Sequence, residues 1–295
     1  MAFDLFSVKD GRKGFTLMEL LVVIAVFGLI SSIIFVISRG ALDSAQISKG
    51  LQFSQHLQNS LGSWAVGIWP LDEGIGSTAN DLSGWGSHGT LTNEPTWTTD
   101  TPSGSGFALS FDGTNDYVAV SNYGNVVSGV SEVTVEAWLK PGVSSGNDDF
   151  VWFAATGDKR ITVHFPWGEG IIWQFGDFAT CSRSITLDPS WVGVWAHYVF
   201  FASGSGGYSS IYRNGVQVAT GSCTTNPLPA STTTLYIGGR GYSGYGFQGS
   251  IDEVRIYNAN LTSAQIQSQY YAGLERLLAK GLITEQEYHQ QLAIR

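Results

Sequence analysis

Ile251-Asp252-Glu253-Val254-Arg255-Ile256-Tyr257 is the last of ten short apolar segments that follow one another along this chain. Turns rich in Gly, Asn, Asp and Ser separate the segments, and no helical repeat lies between them. Many short strands at this spacing are typical of a β-sandwich. The predicted strands are 108–111, 117–120, 133–139, 161–165, 171–175, 197–201, 211–212, 216–219, 235–237 and 251–257.

One of the turns has a distinctive sequence, Arg213-Asn214-Gly215-Val216. An Asn-Gly pair between two apolar runs is a strong signal for a two-residue hairpin, because both central residues of a type I′ turn need positive φ. We therefore expect a β-hairpin here. The non-local pairing of the other strands is expected to form a jelly roll or a Greek-key relative.

Composition indicates an exported, acidic, folded domain. Of the 295 residues, 43% are hydrophobic, 13% are aromatic and only 13% are charged, which is unlike a disordered chain. Between Ser60 and Ala272, 17 Asp and Glu stand against 7 Lys and Arg, which gives this region a net charge of −10. Nucleic acid is therefore not an expected partner, since that affinity comes largely from cationic contacts.

A different kind of segment lies at the N-terminus, where Lys13-Gly14-Phe15-Thr16-Leu17-Met18-Glu19-Leu20 places one carboxylate at the start of an apolar run. The 18 residues from Leu20 to Ile37 are near the lower limit for a membrane-spanning helix. Basic residues before the run favour a cytoplasmic N-terminus. A carboxylate in a bilayer core costs at least roughly 2.5 kcal/mol, so Glu19 is expected to have a partner or a function.

This arrangement resembles the type IV pilin and pseudopilin class. The resemblance implies that a prepilin peptidase cleaves after Gly14 and that Phe15 becomes the methylated N-terminus. It also implies that Glu19 pairs with the terminal amine of a neighbouring subunit, which would offset the burial of each charge in an apolar fibre core. The alternative is a plain membrane anchor with Glu19 at the lipid interface.

The end of the chain has a third composition. Gly281 predicts a helix stop, and Thr284 with Glu287 three residues later forms a capping box for a second helix. We expect a short helical hairpin that docks on the head, the stalk helix or another subunit, and we favour docking within the chain. The expected organisation is a leader at 1–14, a membrane and assembly helix at 15–61, a jelly roll at 62–272 and a hairpin at 273–295.

Several phrases resemble laminin G-like, concanavalin A-like jelly-roll domains. Three of them are Trp69-Pro70-Leu71-Asp72-Glu73-Gly74, Leu109-Ser110-Phe111-Asp112-Gly113 and the segment from Gly249 to Tyr257, and the resemblance spans about Ser63 to Gly273. The fold class is therefore multi-part α+β: a long N-terminal transmembrane or fibre helix, an all-β concanavalin A-like sandwich and a short helical hairpin.

The same resemblance implies a structural calcium ion where the last strand meets an early loop. Asp252 would supply a carboxylate, and Asp112 or Gly113 would supply an oxygen, in keeping with the ligands that Ca²⁺ prefers. The alternative is that Asp252 pairs with Arg255 or with backbone amides. The histidines His88, His164 and His197 have no metal-ligand spacing.

Exposed aromatic rings are the candidates for glycan binding, since sugar rings stack on such faces. Six aromatic residues lie in glycine-rich, loop-like surroundings: Trp85, Trp152, Trp167, Tyr208, Tyr242 and Tyr245. We take Tyr242, Tyr245, Trp167 and Trp85 as the candidate ligand-binding residues. The alternative is that most of the ten Trp cover the core or the sheet edges.

Catalysis is not expected. A retaining glycosidase needs two carboxylates about 5 Å apart, and no strand carries acids that alternate along one face. Glu132 and Glu136 flank residues 133–135 and could share a face, but one of them is expected in solvent at the start of the strand. The two cysteines, Cys181 and Cys223, fall in the exported region, where a disulfide is favoured over two buried thiols.

Together these features predict a non-enzymatic pilin-like subunit that displays its head for adhesion or for glycan or protein binding. Its partners would be other pilin subunits, a prepilin peptidase, the membrane and a surface glycan or protein. It would lie in the cytoplasmic membrane before assembly and in a surface pilus or pseudopilus afterwards. The rival expectation is a monomeric membrane-anchored lectin, and a tethered glycosidase is a third.

Overall fold

The computed structural model describes residues 17–18, 20–22, 24–27, 61–156, 159–242 and 244–293. The chain divides into two compact units, 1–49 and 50–295. The described residues of the first unit are helical and exposed. The predicted processing residues Gly14 and Phe15, the leader and Glu19 lie outside the described residues. Within the described part of the chain, no helix has the length and apolar character needed to span a membrane.

The second unit is built from two antiparallel sheets of eight strands each. Sheet 1 contains, from one edge to the other, β14 (Val216–Ser222), β13 (Tyr208–Arg213), β12 (Ala196–Ser203), β7 (Glu132–Pro141), β16 (Gln248–Tyr257), β5 (Ala108–Asp112) and β4 (Thr96–Thr98). Its eighth strand, β1 (Ala65–Trp69), pairs with the second half of β16. The two halves of β16 thus pair with different neighbours on the side away from β7.

Sheet 2 lies opposite sheet 1 across a shared core. It contains, in order, β11 (Ser182–Thr186), β10 (Gly170–Asp177), β9 (Lys159–Gly168), β8 (Gly146–Ala154), β15 (Leu235–Ile237), β6 (Tyr117–Val120), β3 (Gly89–Thr92) and β2 (Thr78–Ala79). Alternate residues of both sheets face inward, such as Val135 and Ala137 of β7 and Ile161 and Val163 of β9, and all four are fully buried. The predicted all-β sandwich is confirmed.

All ten predicted strands are present, most of them longer than expected, and six more were missed. Asn214 and Gly215 both have positive φ, 50° and 75°, which confirms the hairpin turn between β13 and β14. The missed strands are β1 to β4, β8 and β11. Among them β8 begins with the polar stretch from Gly146 to Asp149 and contains register shifts, so it lacks a regular alternation.

The two cysteines join the sheets at one edge. Cys181 lies in the turn between β10 and β11 of sheet 2, and Cys223 directly follows β14 of sheet 1. The structure pairs them in a disulfide, as the sequence led us to expect, and both are buried.

Replacing Cys181 and Cys223 together by Ala is expected to lower the free energy of unfolding by about 3–4 kcal/mol, because the unfolded chain loses a long closed loop. Denaturant titration of both proteins would measure the difference. As a control, a reducing agent should destabilise the wild type and leave the double variant unchanged. Equal stabilities of the two proteins would contradict the prediction.

The described residues of the second unit include the α-helices α1 (Tyr123–Val126), α2 (Ser263–Ala279) and α3 (Glu285–Ala293). Helix α2 starts ten residues before the expected hairpin boundary at residue 273, because Thr262 and Gln265 form a capping box that the sequence analysis missed. Gly281 has φ of 67° just after α2, which confirms the predicted helix stop. The side chains of Thr284 and Glu287 bond reciprocally to each other's backbone N–H, which confirms the second capping box.

The helical hairpin packs on the outer face of sheet 1. The Tyr270 ring of α2 lies 6.1 Å from the Trp138 ring and 6.2 Å from the His197 ring, measured between centroids. Gly273 lies so close to Trp138 that a Cβ there would come within 2.8 Å of the indole. Leu274 and Tyr288 complete an apolar cluster with Trp138 and Tyr270. The expected docking of the hairpin within the chain is therefore confirmed.

An ion-pair network also holds α2 to the sheet. Glu253 of β16 accepts from Arg255 Nη2 at 2.7 Å and lies 3.2 Å from Arg276 Nη2 of α2. Burial raises the pKa of Glu253, but the two guanidinium groups outweigh burial and lower this pKa to about 2. The carboxylate is therefore ionised wherever the head is folded near neutral pH.

The variant Glu253→Gln is expected to unfold more easily at pH 7, by roughly 1–3 kcal/mol, because Arg255 and Arg276 lose a buried anionic partner. The folded-state pKa lies below the ordinary value of about 4.3, so the contribution of Glu253 is present above pH 4.3 and is lost as the pH falls towards 2.

Denaturant titrations at a series of pH values would show a steeper loss of stability below pH 4.3 in the wild type than in Glu253→Gln. The matched control is Glu169→Gln, since Glu169 is exposed in the turn between β9 and β10. Parallel stability curves for the wild type and Glu253→Gln would contradict the assignment.

Candidate functional site

The outer face of sheet 2 carries a row of mostly polar side chains that crosses seven strands, and we call it the polar row. Cross-strand register places these residues directly beside one another: Thr90, Ala119, Tyr236, Trp152, Thr162, Gln174 and Ser182. Val151 and Phe153, the neighbours of Trp152 in β8, are buried in the core, so Trp152 points outward.

Trp152 of this row belongs to a cluster of four planar side chains, which we call the aromatic ladder: Trp152, Arg240, Tyr245 and Trp167. The guanidinium carbon of Arg240 lies 4.0 Å from the ring centroid of Trp152 and 4.0 Å from that of Tyr245. The Trp167 ring is parallel to Tyr245 within 12°, at 6.0 Å between centroids. These distances fall in the range of cation–π and stacking contacts.

The loop from Gly238 to Phe247 supplies Arg240 and Tyr245 and also carries Tyr242, whose ring meets Tyr245 edge-on at 5.4 Å. Gly241 has φ of 83° and lies against the Tyr236 ring, where a Cβ would come within 2.5 Å. Glycine is required at that position, because any side chain would lift the loop off the sheet. The backbone N–H of Asp149 donates to the carbonyl of Tyr245 at 3.2 Å and fixes the loop to β8.

A buried carboxylate lies beneath the ladder. Asp149 is fully buried; its Oδ2 accepts from Arg240 Nε and its Oδ1 contacts His164 Nδ1. His164 Nε2 lies 3.4 Å from Gln174 Oε1, in the polar row. The Arg240 guanidinium thus contacts three aromatic rings, those of Trp152, Tyr245 and Trp167, and its Nε donates to Asp149.

The ladder offers a rigid surface with apolar ring faces and polar neighbours. Tyr242 is 55% exposed, while Trp152, Trp167 and Tyr245 are half-buried. Asp148 directly precedes Asp149 in the chain, and burial raises the pKa of Asp148 to about 6. Aromatic faces next to a few polar groups can hold a ligand that is apolar on one side and rich in hydroxyl groups at its rim.

Three of the four predicted ligand-binding residues come together. Tyr242, Tyr245 and Trp167 lie in or against the ladder, whereas Trp85 lies in the loop between β2 and β3 and is 57% exposed outside it. The sequence analysis placed Trp152 in a loop, although it lies on β8, and it missed Arg240. Arg240 is one of only seven basic residues in an acidic region and stands between two glycines, a signal that could have pointed to it.

The structure does not bring the predicted calcium ligands together. Asp112 is opposite Gln248 in the register of β5 and β16, and Asp252 lies four residues farther along β16, roughly 13 Å away. Asp112 Oδ1 accepts instead from the Thr114 N–H at 2.7 Å, within the turn that contains Gly113. This pair of carboxylates therefore does not fit a single Ca²⁺.

Asp252 itself lies in a different environment from the one expected for a ligand. Its Oδ1 accepts from the Glu253 N–H at 2.8 Å, so a backbone amide is its partner, while Arg255 pairs with Glu253 and Glu136. Burial, together with the charges of Glu253 and Asp72, raises the pKa of Asp252 to about 8. Among the described residues, no group of three or more His, Cys, Asp or Glu is placed to hold a metal ion.

The two carboxylates considered for glycoside hydrolysis have structural partners. Glu136 is fully buried between β7 and α2, where its Oε1 accepts from His197 Nε2 at 2.9 Å and from Arg255 Nη1 at 3.1 Å. Glu132 accepts from Ser203 Oγ at 2.6 Å. Glu136 therefore stabilises the packing of the hairpin and has no surface to offer a substrate.

Comparison with known families agrees with both parts of this architecture. The model of the concanavalin A-like lectin/glucanases superfamily matches residues 112–267, which is more than half of the chain. The chain belongs to this superfamily. The model of the prokaryotic N-terminal methylation motif matches residues 9–35. The type IV pilin-like segment around Gly14, Phe15 and Glu19 is confirmed as such a motif.

Solved structures show the same fold at low identity. Domain 4 of AbnA, a GH43 extracellular arabinanase from Geobacillus stearothermophilus solved in complex with arabinotriose, is 19% identical, with 70% of this chain and 98% of that domain covered and a TM-score of 0.56. A botulinum neurotoxin type C structure, described by its dependence on two ganglioside molecules for cell entry, is 12% identical, with coverages of 73% and 53% and a TM-score of 0.57.

The binding domain of botulinum neurotoxin DC, in complex with rat synaptotagmin II, is also 12% identical, with coverages of 72% and 52% and a TM-score of 0.57. This chain thus spans about half the length of the toxin chains it matches. Such identities show the fold alone. A comparison with curated proteins found no match.

Proposed function

We propose that this protein is a type IV pilin-like subunit whose concanavalin A-like head binds glycans at the aromatic ladder. The methylation motif at residues 9–35 supports the first part. The observation that carries the second part is the stack of Trp152, Arg240, Tyr245 and Trp167 on the open face of sheet 2.

In this proposal the apolar segment 20–37 inserts in the cytoplasmic membrane with the leader on the cytoplasmic side. A prepilin peptidase removes the leader after Gly14, and the new N-terminus at Phe15 is methylated. Glu19 then pairs with the terminal amine of a neighbouring subunit, since a carboxylate in an apolar segment needs a partner of opposite charge. Assembly moves the head to the cell surface.

Mass spectrometry of the mature protein is expected to find methylated Phe15 at the N-terminus. The variant Glu19→Ala should still be processed but should be depleted in sheared fibres by about tenfold or more, because the buried ion pair is lost. The control Glu169→Ala removes an exposed carboxylate from the head and should assemble normally. An intact leader in fibres, or full incorporation of Glu19→Ala, would overturn the assembly role.

Glycan binding is supported by chemistry and by the fold. The apolar faces of sugar rings stack on aromatic rings, and their hydroxyl groups need polar partners such as Gln174 of the polar row, which is partly exposed. The arabinotriose complex of AbnA domain 4 and the ganglioside dependence of botulinum neurotoxin type C support the idea that this fold can present a glycan site.

Replacing Trp167 or Tyr245 by Ala is expected to weaken glycan binding by about 10- to 30-fold, because each ring contributes a large stacking surface. A glycan array, followed by calorimetry with the strongest glycan, would measure the change. The matched control is Trp85→Ala, which removes an exposed ring outside the ladder. Equal losses in Trp85→Ala and Trp167→Ala would place the binding surface elsewhere.

The rival proposal is a membrane-anchored lectin that never assembles. Both proposals use the same head and the same ladder, so they differ only at the N-terminus. Normal glycan binding together with absence of the protein from sheared fibres would favour the tethered lectin.

A further inference from the structure

We propose that the aromatic ladder selects neutral glycans and discriminates against glycans that carry a carboxylate. The inference rests on the proposed glycan-binding function and adds the chemical class of the ligand. Its basis is that Arg240, the only cation in the ladder, is already neutralised and enclosed within the protein.

The geometry of Arg240 leaves little of its charge for a ligand. An arginine binds a carboxylate best through two parallel N–H donors along one edge of the guanidinium plane. Here Asp149 occupies Nε, and Nη2 lies 3.3 Å from His164 Nδ1. The ring centroids of Trp152, Tyr245 and Trp167 lie 4.0, 4.0 and 5.0 Å from the Arg240 guanidinium carbon, and only 10% of the side chain is exposed.

The carboxylate of Asp149 neutralises the charge of Arg240, so no anionic ligand is needed for that purpose. The carboxylate is fully buried and so must meet its counter-charge within the protein. A ligand carboxylate that approached Arg240 would compete with Asp149 and repel it in a medium of low dielectric constant. A neutral sugar ring avoids that repulsion and keeps the stacking contact.

The other charged groups around the ladder also disfavour an anion. Asp148 lies next to Asp149, and Glu169 follows Trp167 by two residues and is exposed. Of the two nearby cations, Lys159 lies 3.8 Å from Asp177, while the Arg160 guanidinium lies 4.4 Å from the Phe178 ring centroid and 5.9 Å from that of Trp152 and donates to Gln174 Oε1 at 3.5 Å. The net charge of −10 between Ser60 and Ala272 adds a long-range field of the same sign.

The test compares matched pairs of glycans that differ in one acidic group. The full chain, solubilised in detergent, would be applied to lactose and sialyllactose, to galactan and galacturonan oligosaccharides, and to xylan oligosaccharides with and without glucuronate branches. In every pair of which one member binds, we expect the neutral glycan to bind at least about tenfold more tightly than the acidic glycan. Raising NaCl from about 0.05 to 0.5 M should change the neutral affinity by less than about twofold.

A variant tests the role assigned to Asp149. Asp149→Asn leaves Arg240 uncompensated, so the ratio of acidic to neutral binding should rise by about fivefold or more. The control Asp188→Asn alters an exposed carboxylate that caps the 3-10 turn Pro189–Trp191 and should leave that ratio unchanged. If Asp149→Asn fails to fold, the wild-type ratio and its salt dependence decide the matter.

The outcomes separate this inference from the function on which it rests. Equal or tighter binding of the acidic members, or an affinity that falls steeply with salt, would overturn the neutral preference and leave glycan binding intact. Absence of binding to every neutral and acidic glycan would overturn both. A neutral preference that is unchanged in folded Asp149→Asn would overturn the role of the Asp149 and Arg240 pair.

Discussion

Each sheet of a two-layer sandwich can place only one of its faces in the shared core, and this constraint decides what the rest of the head does. Sheet 1 buries its second face under helix α2, where Gly273 allows close contact with Trp138. Sheet 2 has no such cover among the described residues, and its second face carries the polar row and the aromatic ladder. One outer face therefore stabilises the head and the other is available for recognition.

The two outer faces use the same chemical unit in different ways. On sheet 1 the buried carboxylate of Glu136 meets His197 and Arg255, and on sheet 2 Asp149 meets His164 and Arg240. Buried ion pairs contribute little net stability but hold side chains in one geometry. Arg255 also pairs with Glu253, which in turn pairs with Arg276 of α2, so Arg255 has a structural role.

Arg240 instead contacts aromatic rings, and these lead through Tyr245 to the exposed ring of Tyr242. The same carboxylate, histidine and arginine set thus fixes a helix on one side and a surface on the other. The difference lies in what surrounds the arginine: Glu253 and Arg276 beside Arg255, but Trp152 and Tyr245 beside Arg240.

Local signals in the sequence predicted the local structure well. The Asn214-Gly215 turn, the Gly281 stop and the Thr284 capping box each depend on a few adjacent residues, and all three are present. The site was predicted only in part, since Tyr242 and Tyr245 share one loop, whereas Trp152 joins them through the register of β8 with β9 and β15. The register also pairs Asp112 of β5 with Gln248, four residues before Asp252 on β16. The resemblance to a family could not reveal this separation of the two carboxylates.

The ladder and the N-terminal segment are complementary in energetic terms. A small stacking surface without a free ionic contact gives modest affinity at a single site, because association entropy takes up much of the contact energy. Copies of the head held on one fibre would bind a repetitive glycan surface with an avidity 10² to 10⁴ times greater, roughly, without any new contact. Neutral glycans would also escape the long-range repulsion that an acidic head exerts on anions. On the proposed function, assembly through Glu19 thus supplies the binding strength that the ladder alone lacks.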